Sequence, residues 1–215
     1  MTLQPIVAIQ LRPKVQIITD PEVGKLLADE TRRKILRILS HEEMSATDLA
    51  KKLDKNHSSI VHHLNTLLDA GLITVTREEQ VRNMIQPYYL SVSEDFHVSY
   101  SVTEALEEDP DYSAYTMEYL DNLVKALGMY GVEIPEEEKQ RVKQLLLKLH
   151  LYNKRGFEER VSRKVNDGDI GRYTQRSIAH IISHVQLMSS PEYEAAIAEL
   201  REIMNKYSGS TWDVQ

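Results

Sequence analysis

From Lys55 to Asn65 the chain reads Lys-Asn-His-Ser-Ser-Ile-Val-His-His-Leu-Asn, and groups able to make hydrogen bonds recur there at helical spacing. Wound as a helix to about Ala70, the stretch turns Ile60, Leu64, Leu67 and Leu68 to one side. It turns His57, Ser58, Val61, His62 and Asn65 to the other. Ser, Asn and His can hydrogen-bond base edges or phosphate oxygens, and a valine methyl can meet the methyl of thymine. Ser59 lies in the same first turn. Lys55 and Asn56 precede the helix, whose free N–H groups favour a phosphate. For Asn56 and His57 a second role is equally open, that of capping the helix.

Other cations lie nearby in sequence. Arg77 and Arg82 flank the polar stretch Glu78 to Val81, which reads as a hairpin tip able to reach a phosphate or the minor groove. Glu78 and Glu79 between them work against that use. Arg32, Arg33, Lys34 and Arg37 form a basic run whose ordinary role is a solvated face, with Arg33 the member placed to touch a DNA backbone. Lys51 and Lys52 could reach phosphates across a groove.

Several chemistries are absent from the sequence. With 0 Cys there are no disulfides, thiolate nucleophiles, iron–sulfur clusters or cysteine zinc sites. No G-x-S-x-G, P-loop, G-x-G-x-x-G or H-E-x-x-H occurs, so no enzymatic activity is expected. Glu136, Glu137 and Glu138 follow Pro135, where they complement a helix dipole. His180 and His184 have the i, i+4 spacing of a metal pair, with Glu192 or Asp169 as a conceivable third ligand. Neither completes a persuasive site, and the expectation is no metal and no cofactor. Tyr112, Tyr115, Tyr119 and Tyr130 could line a pocket for a small-molecule effector, but packing at a half-buried boundary is the commoner use of tyrosine.

The elements that must position these groups follow from patterning. The chain has 215 residues, 41% hydrophobic and 27% charged, which suits one large folded domain or two small ones. No run of about 18 apolar residues could cross a membrane, and no basic-then-apolar leader opens the chain, so a cytoplasmic protein is expected. Residues 1–90 hold 12 Lys and Arg against 11 Asp and Glu, while residues 91–215 hold 14 against 22. A near-neutral module thus precedes an acidic one.

Residues 1–19 read as extended. Asp20-Pro21-Glu22 starts helical segments that run to about Ser40. Ser45 caps a short helix to Leu53, Asp54 to His57 turn, and Gly71 ends the helix that follows. Leu72–Thr76 and Ile85–Val92 read as strands around a tip at residues 77–83, and Phe96, Val98, Tyr100 and Val102 alternate as a further strand. After the acidic segment 104–111, helices are expected over about 112–129, from Pro135 to Val161, over 170–188 after an interruption at Gly168, and from Ser190 onward.

Helix, short helix, tight turn, helix with a glycine stop and then a hairpin is the order of a winged helix-turn-helix, in which a helix enters the major groove and a hairpin reaches alongside. The residues also resemble a family. Asp29-Glu30-Thr31-Arg32-Arg33-Lys34-Ile35-Leu36-Arg37-Ile38-Leu39 looks like the D-x-T-R-R-x-I-L-x-x-L opening of ArsR-type winged-helix repressors. Ser58-Ser59-Ile60-Val61-His62-His63-Leu64 and Ala70-Gly71-Leu72-Ile73 resemble that family's S-T-V-S-H-H-L and A-G-L-V segments. The likeness spans about residues 20–92, and the longer helical C-terminal half looks like the larger archaeal members.

The resemblance implies that His63 faces the packed side, and that the protein represses transcription. The expectation is therefore an α+β, mostly α protein. Residues 1–103 would form a winged helix-turn-helix domain with an N-terminal strand, 112–207 a helical dimerisation region, and 208–215 a tail. It would read a pseudo-palindromic site on double-stranded DNA as a homodimer. Two alternatives stand beside this reading: a sequence-tolerant architectural DNA binder, and a winged helix that contacts protein instead of DNA. The N-terminal strand could pair within its own chain or with the partner's.

Overall fold

The computed structural model describes residues 12–162 and 172–209 and divides into two compact units, Met1–Tyr112 and Ser113–Gln215. In the first unit, strand β1 (Val15–Ile18) leads into helix α1 (Pro21–Leu26) and helix α2 (Glu30–Leu39). The helical segments expected up to about Ser40 are these two helices, separated where Asp29 caps the second, its side chain accepting from the Arg32 N–H at 2.8 Å. Strand β2 (Met44–Ser45), helix α3 (Ala46–Leu53) and helix α4 (His57–Asp69) follow. Strands β3 (Ile73–Val81) and β4 (Met84–Ser91) then form a hairpin, and β5 (Asp95–Val98) leads to helix α5 (Tyr100–Ala105).

One sheet has the order β2-β4-β3, all antiparallel. The other pairs β1 with β5 in parallel, from Val15 opposite Asp95 to Ile18 opposite Val98, so this N-terminal strand is partnered within its own chain. Leu36, Leu39, Leu49, Ile60, Leu64, Leu67 and Leu72 are buried in one core with Tyr89 of β4. Arg12 reaches into this unit, donating to the carbonyls of Ser91 (3.0 Å) and Leu39 (3.3 Å) and also to that of Ser40. It thereby satisfies orphan acceptors at the end of α2.

Two strand expectations change. The hairpin strands extend to Val81 and Met84, leaving only Arg82 and Asn83 as the turn, because pairing continues through Glu79 opposite Gln86 and Gln80 opposite Ile85. The alternation of Phe96 and Val98 does not continue into Tyr100 and Val102. Ser99 instead caps α5, its hydroxyl accepting from the Val102 N–H at 3.1 Å, and local capping overrides the period-two pattern. Val102 then packs against α1 at Gly24, where an added Cβ would lie 2.7 Å from Val102 Cγ1 and 3.2 Å from Leu106 Cδ1. Gly24→Ala is expected to destabilise the first unit by about 1–3 kcal/mol, because the β-branched Val102 cannot swing aside cheaply. An unchanged urea midpoint would contradict this.

The second unit contains helix α6 (Pro110–Gly128, from Ser113 onward), α7 (Glu136–Ser162), α8 (Arg172–Leu187) and α9 (Pro191–Tyr207). Ser190 caps α9 with its hydroxyl at 3.3 Å from the Tyr193 N–H. Val142, Leu145 and Leu149 of α7 share a core with Leu187 and with Tyr193, Ala196, Leu200 and Ile203. The end of α9 is tied back through Val132 bridging Ser208, the first residue of the expected tail, and through Glu133 N–H donating to the Tyr207 carbonyl at 3.1 Å. Gly168 and Ile170 lie outside the described residues. Among the described residues no helix is long and apolar enough to cross a membrane.

Candidate nucleic-acid interface

The pair α3–α4 is set by its caps. Ser45 is fully buried and forms a capping box: its hydroxyl accepts from the Asp48 N–H at 3.2 Å, while its own N–H donates to Asp48 Oδ2 at 3.4 Å. At the other end Asp54 adopts φ 50, ψ 50, a left-handed conformation that Asp tolerates better than most residues. Its N–H and that of Lys55 bond back to Lys51 and Ala50, which ends α3 abruptly and turns the chain into α4. Asn56 caps α4, its Oδ1 accepting from the Ser58 N–H at 2.9 Å and the Ser58 hydroxyl at 2.7 Å. Asn56 thus performs the capping role that its sequence position left open. Ser45→Ala is expected to cost about 1–2 kcal/mol in chemical denaturation, since a buried cap is lost and a carboxylate partner goes with it. A loss below about 0.5 kcal/mol would show that the box contributes nothing.

With Ile60, Leu64 and Leu67 at zero exposure, α4 is fixed in rotation; Leu68, expected in the same stripe, is exposed because it lies at the stripe's margin, about 80° around the helix from Ile60. Its outer face carries His57, Ser58, His62 and Asn65, all exposed, with Ser59 and Val61 half-buried at its margins; Lys55 is exposed just before the helix. Thr66 donates back to the His62 carbonyl at 3.0 Å. His63 turns inward, with Nδ1 4.0 Å from Asp29 Oδ1, and burial lowers its pKa. Asp69, one turn beyond Asn65, completes the outer face with an acid that attention to hydrogen-bonding side chains had passed over; the helical period alone would have found it.

The wing is built differently from its sequence expectation. Arg77 sits within β3, away from the tip, opposite Tyr88 of β4. Its Nε donates to Glu43 Oε1 at 2.6 Å, a second nitrogen to Glu79, and the guanidinium lies 3.5 Å from the Tyr88 ring centroid. Tyr88 in turn donates to Glu79 Oε2 at 3.0 Å. These contacts hold the Arg77 pKa above its ordinary value, the Glu43 hydrogen bond being the largest cause. Arg77 therefore clamps the hairpin to the segment before β2. Glu43 and Tyr88 were not legible as its partners, because the cross-strand register is fixed only once the turn is placed. Arg82 occupies that turn, exposed, at φ 58.

Arg33 is used internally as well, donating to the carbonyls of Leu27 and Ala28 at 2.7 Å each, where α1 ends. Lys52 pairs with Glu42, and Lys51 is exposed. The structure brings Lys55, Asn56, His57, Ser58, Ser59, Val61, His62 and Asn65 together on one helix and its cap. Arg77 and Arg33 are engaged elsewhere in the first unit. In the second unit, His180 and His184 are exposed on α8; Asp169 lies outside the described residues. Among the described residues no three His, Asp or Glu gather as a metal site would require. Tyr119 packs against His150 with ring centroids 5.2 Å apart, whereas Tyr130 is 71% exposed.

Residues 27–76 match the family described as a helix-turn-helix domain. The chain is 43% identical over 58 residues to the transcriptional repressor SdpR of Bacillus subtilis, covering 27% of this chain and 64% of that protein. It is 40% identical over 67 residues to the putative arsenical resistance operon repressor ArsR of Halobacterium salinarum, with 29% and 52% covered. It is 36% identical over 66 residues to the HTH-type transcriptional regulator KmtR of Mycobacterium tuberculosis, with 31% and 51% covered. The chain thus spans less than two thirds of each of these curated relatives. The buried stripe, the left-handed turn and the outward polar face lie within residues 27–76, and the wing begins there at Ile73 and runs on to Ser91. The first unit of this chain has the α+β fold of a winged helix-turn-helix domain, and its residues 27–76 carry the helix-turn-helix match.

Proposed function

We propose that the chain is a cytoplasmic transcriptional regulator, a repressor, that binds a pseudo-palindromic site on double-stranded DNA as a homodimer. In this reading α4 enters the major groove, the β3–β4 wing lies alongside, and the helical unit holds two copies together. No catalytic step is involved. The observation that carries the reading is the outer face of α4, where Ser58, His62 and Asn65 stand exposed on a helix that buries Ile60, Leu64 and Leu67 on its other side. The names of the matched relatives support repression.

Asp69 on that face and Glu78 and Glu79 on the wing favour a second reading, in which the winged helix contacts a basic protein surface. Footprinting of the purified chain on its own upstream region at two salt concentrations separates them. One protected site that survives the higher salt supports specific regulation. Diffuse protection lost at modest salt indicates sequence-tolerant binding, which rests almost wholly on phosphate neutralisation. No protection at any salt favours the protein-contacting reading.

A further inference from the structure

Helix α8 presents a second, unassigned surface. Ile178, Ile181, Ile182, Val185 and Met188 recur at spacings of three, one, three and three, so they form a single stripe along the helix. All five are exposed, Val185 at 63% and Ile181 at 55%. The opposite side of α8 is already used: Leu187 enters the core of the second unit, and Arg160 of α7 donates to the Ala179 carbonyl at 2.9 Å and to Ser183. The stripe is therefore not the helix's own packing face.

Charge and area say what covers it. From Ile170 to Pro191 the sequence holds no Asp or Glu, although residues 91–215 carry 22. Elsewhere two copies of this acidic region would repel each other, whereas along α8 they can approach without opposing like charges. Five apolar side chains about half uncovered leave roughly 400 Å² per copy. That is close to the apolar share of the roughly 800 Å² per partner in a standard interface.

We infer that α8 is the seam between two copies of this chain, paired antiparallel about a twofold axis near Ile182. That register sets Ile178 against Met188 and Ile181 against Val185 of the second copy, and places Ile182 beside its own copy at the axis. A twofold seam of this kind is self-complementary, as an isologous contact must be. The inference rests on the homodimer of the proposed function and names the surface that forms it.

The chain has no cysteine, so single introduced thiols report the register without background. In sedimentation without DNA, the wild-type chain is expected at twice its 24.8 kDa mass and Ile181→Glu at the single-chain mass, with unchanged circular dichroism. Under mild oxidation Ile182→Cys is expected to cross-link to itself. Ile178→Cys alone should not, because its two copies would lie about 15 Å apart along the helices at 1.5 Å per residue, beyond the Cα separation of about 7 Å that a disulfide spans. A mixture of Ile178→Cys and Met188→Cys should link. A monomeric wild type, a dimeric Ile181→Glu, or equal linking of Ile178→Cys and Ile182→Cys would each overturn the inference. A dimer with this seam that protects no DNA would instead overturn the regulator reading alone.

Discussion

His62→Ala is expected to weaken binding to the specific DNA site by about 1–3 kcal/mol, and Asn65→Ala by a similar amount, so each loses about fivefold to more than a hundredfold in affinity. Both side chains are exposed on α4 and make no core contact, so the folded state should hold within about 0.5 kcal/mol. The loss would then arise in the complex. The two residues are one helical turn apart and face the same groove, so their effects need not add, and the double variant measures the coupling. Asn65→Ala removes no ionisable group, so the dependence of its affinity on salt should keep its slope. Arg82→Ala, at the exposed turn of the wing, is expected to reduce that slope by about one while weakening all sequences alike. Titration of labelled site and scrambled duplexes at several salt concentrations reads all three effects. Unchanged affinity in both His62→Ala and Asn65→Ala would mean that α4 does not read bases through this face.

Acid is expected to weaken the helical unit through His150. Burial, aided by the nearby Lys154 ammonium, pushes the His150 pKa down to about 4 from an ordinary 6.5. Above pH 6.5 the imidazole is neutral whether the chain is folded or not, and its contribution to stability is complete. Between pH 6.5 and about 4 the unfolded chain takes up a proton that the folded chain refuses. Stability therefore falls with falling pH across that window, by at most about 1.4 kcal/mol per unit from this one group. Partial access to solvent brings the total to about 2–3 kcal/mol.

His150→Phe keeps a ring against Tyr119 and removes the titration, so its urea midpoint should stay flatter than that of the wild type from pH 6.5 to 4. The His150 ring resonance in the wild type should titrate near 4. Parallel pH profiles for the two proteins, or a resonance titrating near 6.5, would remove His150 as the cause. Lys154, pushed down to about 8 by its own burial, shows that this side of α7 desolvates cations as well.

Much of the first unit was legible because its signals are local. Asp20 before Pro21, Ser45 before Asp48 and Gly71 after Ala70 are capping choices that act within a few residues, and the structure places helix ends at each. The period of Ile60, Leu64 and Leu67 fixed which side of α4 is buried, and hence that His62 and Asn65 point outward.

The errors arose where a local pattern competed with a neighbour in space or in the chain. The hairpin looked like a seven-residue polar tip because its outer strand ends are exposed on both faces and bury nothing, so only the pairing of Gln80 with Ile85 shows that the strands continue. Tyr100 and Val102 kept a strand alternation until Ser99 imposed a cap. By itself the sequence determined the elements, the buried stripe and the outward face of α4, because propensity, capping and periodicity are properties of nearby residues. Tertiary structure alone decided that Arg77 is held by Glu43, that Arg33 closes α1, that β1 finds β5, and that α8 keeps an apolar stripe uncovered. Those outcomes depend on which distant groups meet, and desolvation and charge pairing act only once they do.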